Sequence, residues 1–231
     1  MANNVTKVNS IAIASIAKIN GQNDSDLAKI NGEEFTGVTD GMVLIQEQTA
    51  SNAASLTFAT GIDDSYDMFM FQFVNIHAHT GDSSSANFVW QCNRTNSADY
   101  NDLYLHSSFA AATHMEDDSG AAWGYDDTRD SPTDPGASLT TDYAVLQSYQ
   151  GTEDDEACSG EMYIFNLADT SYSKGWHSIM TTNRYDDGTY TAETRGVIAY
   201  SLGGNAIDDF NFKISTGNMS GTIRLWGWVI E

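Results

Sequence analysis

The chain has 231 residues, 32 of them acidic and 10 basic, for a formal net charge of −22. Ten scattered cations cannot build the clustered Lys/Arg surface that neutralises phosphates, so nucleic acids are excluded as partners and anionic membrane surfaces are disfavoured. Only 18% of residues are charged and 41% are hydrophobic; with 19 Gly, 2 Pro and 11% aromatics, this is an antiparallel β composition with enough apolar mass for one core.

No run approaches the roughly 18 consecutive apolar residues of a membrane-spanning helix, so no membrane insertion is expected. No basic stretch followed by an apolar block opens the chain, so no secretory leader is expected either. Cys92 and Cys158 alone do not make a disulfide framework, and a reducing site of synthesis is the simplest reading.

Residues 1–40 carry an internal repeat. Lys7, Lys18 and Lys29 are spaced eleven apart, within Lys7-Val8-Asn9-Ser10, Lys18-Ile19-Asn20-Gly21 and Lys29-Ile30-Asn31-Gly32. A continuous helix with an eleven-residue period conflicts with one Asn-Gly per unit. Two forms remain. In one, Ser15 and Asp26 cap short helical turns that end at Gly21 and Gly32. In the other, each Asn-Gly is the turn of a small hairpin. The capped turn is the preferred expectation. Neither form is stable alone, so the apolar stripe Ile11, Ile13, Ile16, Ile19, Leu27, Ile30 and Phe35 must be buried against a partner. That partner is a sister copy, the following domain or another protein.

From residue 41 to 231 the pattern is strand, turn, strand. Strands are expected at Met42–Gln48, Ser55–Ala59, Tyr66–His77, Asn87–Gln91, Tyr143–Tyr149, Glu161–Leu167, His177–Thr182, Arg195–Ser201, Asp209–Ile214 and Thr222–Ile230. In Tyr66–His77, Phe69, Phe71 and Phe73 share one face, with Met68, Met70, Val74 and Ile76 on the other, which predicts a strand between two covering layers. About ten strands at this spacing predict an all-β fold: an antiparallel β-sandwich of jelly-roll type. Asp99–Asp142 holds both prolines and reads as a long loop excursion, where binding function concentrates.

Candidate chemistry is sparse. His77 and His79 stand two apart at a strand end, but a metal would need further ligands that the sequence does not identify. The pairs Asp63-Asp64, Asp117-Asp118, Asp126-Asp127, Asp186-Asp187 and Asp208-Asp209, with Glu153-Asp154-Asp155-Glu156, offer oxygen ligands for Ca²⁺, yet no EF-hand loop is present. They also read as solvated turns. No metal site and no cofactor are expected. Paired carboxylates are the requirement of a glycoside hydrolase, but there is no nucleophile elbow and no Cys–His motif, so the chain is read as a non-enzyme. Trp123 and Tyr125, in the excursion, are the candidate contacts to a sugar ring.

The repeat Ile16-Ala17-Lys18-Ile19-Asn20-Gly21 and Leu27-Ala28-Lys29-Ile30-Asn31-Gly32 resembles the N-terminal repeats of virion structural proteins of tailed phages, especially marine and cyanobacterial ones. Gly61-Ile62-Asp63-Asp64-Ser65-Tyr66-Asp67, running into Phe71-Gln72-Phe73-Val74-Asn75-Ile76-His77, resembles the same group. So does Thr216-Gly217-Asn218-Met219-Ser220-Gly221-Thr222-Ile223-Arg224-Leu225-Trp226-Gly227.

The resemblance implies a non-enzymatic, multicopy virion component assembled in the host cytoplasm: a tail fibre, neck appendage or head decoration. Residues 1–40 would anchor it to sister copies, as a homotrimer, or to capsid, neck or tail proteins, and the sandwich would be displayed outward. A carbohydrate-binding module for host-surface glycans is the alternative, and a glycoside hydrolase the third.

Overall fold

The computed structural model describes residues 7–8, 11–12, 18–19, 22–23, 29–30, 33–34, 41–79, 86–95, 100, 103–115, 117–129, 142–183, 188–199 and 206–229. The chain falls into two compact units, Met1–Gly41 with Glu231, and Met42–Ile230.

In the first unit three two-residue ladders recur at the eleven-residue spacing. β1 (Lys7–Val8) pairs with β2 (Ile11–Ala12), β3 (Lys18–Ile19) with β4 (Gln22–Asn23), and β5 (Lys29–Ile30) with β6 (Glu33–Glu34), all antiparallel. The capped helical turns expected at Lys18–Ile19 and Lys29–Ile30 are therefore replaced by hairpins. The physical reason is local. Ile and Val are stiff and helix-poor, and Asn-Gly is the pair that best closes a two-residue hairpin.

The second unit is all-β and antiparallel. Its strands are β7 (Gly41–Ala53), β8 (Leu56–Phe58), β9 (Met68–Ala78), β10 (Ala86–Arg94), β11 (Tyr104–Met115), β12 (Ala121–Tyr125), β13 (Ala144–Gln150), β14 (Cys158–Phe165), β15 (Lys174–Asn183), β16 (Gly188–Ala199), β17 (Ile207–Ile214) and β18 (Met219–Val229). An eight-stranded sheet runs β12-β11-β16-β15-β14-β9-β18-β7 and a four-stranded sheet β13-β10-β17-β8. Each of the ten expected strands has a counterpart, with ends shifted by up to seven residues, the largest shift being at Gly188–Ala199, expected from Arg195. Two more, β11 and β12, occupy part of the Asp99–Asp142 stretch expected to be a loop.

Alternation on the inner faces brings the sheets together. β9 offers Phe69, Phe71 and Phe73; β10 offers Phe88, Trp90 and Cys92; β17 offers Phe210 and Phe212; all are buried in one core. The rings cross from sheet to sheet: Phe71 and Phe212 have centroids 4.8 Å apart, Phe71–Phe210 5.0 Å, Phe73–Phe88 5.2 Å and Phe58–Phe71 5.4 Å. Trp90 of the small sheet meets Trp176 of the large one edge-to-face at 5.0 Å. These tilted and edge-on geometries are the preferred ones for aromatic pairs. Along β11, Leu105 joins this core, whereas Phe109 and Ala111 join a second cluster with Val89, Val145 and Tyr143. Val89 and Val145 alternate with core residues, so Phe109 and Ala111 lie over the small sheet's outer face.

β9 does not keep the alternation expected of it. Val74 and Asn75 together face Ser159 of β14, because Gly160 pairs with Phe73 and Cys158 with Ile76. Asn75 has φ +53° and its N–H donates to Ser159 Oγ at 3.0 Å. This bulge reverses the side-chain parity, so Ile76 and Ala78 point into the same core as Phe69, Phe71 and Phe73. The expected assignment of Ile76 to the opposite face is thereby corrected. On the other flank Gly221 of β18 faces the bulge at φ +123°, and a Cβ there would lie 2.5 Å from the Asn75 carbonyl oxygen. Only glycine fits. On the other side of β9 Met70 is buried while Gln72 and Val74 are half-buried, so the second covering layer expected there is partial among the described residues.

Phe212→Ala is expected to cost about 3–5 kcal/mol, or roughly 10 °C in Tm for a domain of this size. Gly221→Ala should cost about 1–3 kcal/mol through strain at the bulge. Ile179→Ala, on the outer face, should stay within about 1 kcal/mol. Thermal unfolding ranks the three, and a Phe212 variant no weaker than the Ile179 one would contradict this description of the core.

Candidate functional site

The outer face of the eight-stranded sheet carries the candidate sugar contacts. Trp123 and Tyr125 lie on β12, an edge strand and not a loop, and are 67% and 64% exposed. As i and i+2 residues they share one face. Their register partners are Ala112 and Ala110, so two rings stand beside small neighbours.

The register extends this arrangement across the sheet. Tyr125 is followed, strand by strand, by Ala110, Glu193, Ile179, Glu161, Gln72 and Arg224. Trp123 is followed by Ala112, Thr191, Thr181 and Ser159. Where the two rows meet β14 and β9 there is an open depression of about 400 Å³, lined by Gln72, Val74, Ser159, Glu161, Ile179 and Thr181.

The flanks of the depression are tied down. Arg224 Nε donates to Glu47 Oε2 at 2.5 Å, and its Nη1 donates to Gln72 Oε1 at 3.3 Å. In the next row the Tyr163 ring stacks on His177 at 5.1 Å, with Phe165 on the same imidazole at 6.0 Å. The Tyr163 hydroxyl donates to Glu161, and burial, with that carboxylate second, pushes the phenol above its ordinary range.

The outer face of the small sheet holds a polar layer that sequence reasoning missed. Asp209, Asn211 and Lys213 alternate with the buried Phe210, Phe212 and Ile214 along β17. Tyr143 donates from its hydroxyl to Asn211 Oδ1 at 3.0 Å, and Asn211 Nδ2 donates to Thr57 Oγ1 at 2.8 Å. The Lys213 ammonium sits 3.9 Å from the centre of the Tyr143 ring. Gln91, fully buried, donates to the Asp142 carbonyl at 3.2 Å. Asp209 accepts from Tyr100 but keeps Oδ1 buried with no hydrogen-bond partner among the described residues. Burial raises its carboxyl pKa, and the neighbouring Asp208 charge adds to the shift.

The remaining candidates have simpler placements. In three acidic turns the first Asp of the pair caps its own turn: Asp63 accepts from the Ser65 N–H at 2.9 Å, Asp117 from Ser119 at 2.9 Å, and Asp126 from Thr128 at 3.1 Å. Glu156 accepts from the Glu153 N–H at 2.9 Å in the same spirit. Asp169, not singled out by sequence, accepts from both Ser171 and Tyr172, and these bonds lower its carboxyl pKa. His77 Nδ1 lies 2.9 Å from the Asn75 carbonyl at the bulge. Among the described residues no three His, Cys, Asp or Glu side chains converge as a metal-ligand group. Cys92 and Cys158 are both buried, and neither is in a disulfide among the described residues. Of the anchoring residues, Ile11, Ile19 and Ile30 fall on β2, β3 and β5 by backbone alone. Ile13, Ile16, Leu27 and Phe35 lie outside the described residues.

The raised Asp209 carboxyl has a signed consequence. A folded-state pKa above the ordinary value of about 3.9 means the fold disfavours the ionised form, so stability falls as pH rises from that value through the raised one. Asp209→Asn keeps an acceptor for Tyr100 and removes the charge. Its Tm is expected to exceed that of wild type near pH 7, with the gain shrinking toward pH 3. Melting curves across that range check it, and a gain that does not change with pH would contradict burial of the charge.

No model of a known protein family matches the chain, and neither does any curated protein or solved structure, so the functional reading is built from these surfaces and from the motifs described above.

Proposed function

We propose that this protein is a structural component of a tailed-phage virion, anchored through residues 1–40 and displaying the sandwich outward. The observation that carries the reading is the division of the chain. Among its described residues one unit forms two-residue ladders repeated every eleven residues, and the other owns an aromatic core. An isolated two-stranded hairpin is marginal in water. Three such ladders call for a partner surface, be it a sister chain in a trimer or a capsid, neck or tail protein. The sandwich calls for none.

The sandwich itself is read as a jelly roll. The supporting feature is its chain path, which passes from sheet to sheet at nearly every step: β8 in the small sheet, β9 in the large, β10 in the small, β11–β12 in the large, β13 in the small, β14–β16 in the large and β17 in the small. Charge distribution supports outward display. Residues 41–231 hold seven cations against 27 carboxylates, a net −20, while residues 1–40 stand at −2. A strongly acidic domain stays solvated and repels its like.

A second reading is favoured by one observation, the exposure of Trp123 and Tyr125 side by side on β12. Paired exposed rings suit the apolar face of a sugar, so the displayed sandwich also serves as a host-glycan receptor module.

Deleting residues 1–40 is expected to leave the sandwich melting within a few degrees of the full chain. The truncated protein should no longer co-sediment with particles, and it should run as a monomer in size-exclusion chromatography with light scattering. Normal incorporation of the truncated chain refutes the anchoring role.

A further inference from the structure

We infer that the depression in the eight-stranded sheet and the Trp123–Tyr125 edge are two subsites of one extended site for a neutral oligosaccharide. The inference rests on the glycan reading of Trp123 and Tyr125 and adds to it a second contact region, a path between the two and a charge class for the ligand.

The path is set by the register. Two adjacent rows begin at Tyr125 and Trp123 and end in the depression, and at β11 both rows pass over alanine, Ala110 and Ala112. Those small side chains keep the surface low beside the exposed rings; Glu193 and Thr191 continue the two rows on β16, and Ile179 beyond them is itself 45% exposed. Three strand spacings separate Tyr125 from Ile179, about 14 Å along the sheet. A ligand touching both ends must therefore be a chain of several units and not a single small molecule.

The lining identifies its chemistry. Apolar surface at Trp123, Tyr125, Ile179 and Val74 alternates with the hydroxyls of Ser159 and Thr181, the carboxamide of Gln72 and the carboxylate of Glu161. A sugar ring has the same two-sided character, an apolar face with hydroxyls around its rim. Glu161 and Gln72 are already oriented, by Tyr163 and Arg224 respectively, so little side-chain freedom is lost on binding. Among the described side chains a cation borders the depression, Arg224, and it is engaged by Glu47 at 2.5 Å. With Glu161 in the lining and a net −20 on residues 41–231, an anionic polymer is repelled. An extended peptide would be expected to add to a strand edge, where backbone partners are available, and this surface is a face.

The test is affinity electrophoresis of the full chain through native gels containing dextran, laminarin or galactomannan, with alginate as the anionic comparison. Retardation is expected in at least one neutral gel and in none containing alginate. Trp123→Ala and Ile179→Lys should each weaken that retardation about tenfold or more, as loss of a central contact does, with Tm unchanged. Retardation abolished by Trp123→Ala but untouched by Ile179→Lys overturns the extended site and leaves the edge reading standing. The reverse pattern overturns the edge reading. No retardation in any neutral gel, or retardation by alginate alone, overturns both.

Discussion

Phe71 and Phe212 meet at 4.8 Å between the two sheets, and the placement of the other elements follows from that contact. Phe71 reaches Phe58, Phe73 and Phe210, and Phe212 reaches Phe58, Phe73 and Phe88, so six rings from β8, β9, β10 and β17 form one continuous layer. Rings of this size each bury some 150–250 Å² and interlock by shape, which fixes the distance between sheets and the lateral register of one against the other. Once β9 and β17 are locked, their hydrogen-bonded neighbours have no freedom to slip, because a one-residue slip would turn every inner side chain outward.

The bulge at Asn75 reconciles that lock with the rest of the chain. Without it, a strand running from Phe69 to Ala78 would send Ile76 and Ala78 to the outer face. With it, both stay in the core, and the adjoining outer surface changes shape. Val74 and Asn75 oppose the single residue Ser159, and Val74 and Ser159 both line the depression on the outer face. Core packing and surface relief are thus two consequences of one extra residue. Gly221, across the ladder, is the requirement that makes the bulge possible.

What was legible in the sequence follows from which signals are local. Phe69, Phe71 and Phe73 announce both a strand and its buried face because a period of two is visible within five residues. β11 was not legible, since its run Tyr-Leu-His-Ser-Ser-Phe-Ala-Ala-Ala-Thr-His-Met mixes small and polar residues, and among its described side chains only Leu105 and Phe109 are deeply buried. It is a strand because β16 pairs with it along its whole length, a long-range fact that overrides weak propensity. The Asn75 bulge was illegible for another reason: its marker, Gly221, lies in a different strand. The polar layer around Asp209 looked like an ordinary solvent face, because Tyr100, Tyr143 and Thr57 reach it from distant parts of the chain. In residues 1–40 the Asn-Gly signal was present and correct for a hairpin, but the Ser15 and Asp26 caps competed with it and local rules alone could not arbitrate.

Charge and architecture constrain function jointly. A net −20 spread over residues 41–231 penalises close approach of one sandwich to another, so self-association, on the proposed reading, has to be the work of the nearly neutral repeat segment. The same acidity narrows what the outer face of the eight-stranded sheet can hold. Anions are repelled, and among the described side chains the cation beside the depression, Arg224, is already paired with Glu47. Attraction on that face must then come from ring stacking and from hydrogen bonds by uncharged groups, interactions that salt screens little. Binding of that kind, on the proposed reading, survives ionic strengths at which charge-based recognition is lost.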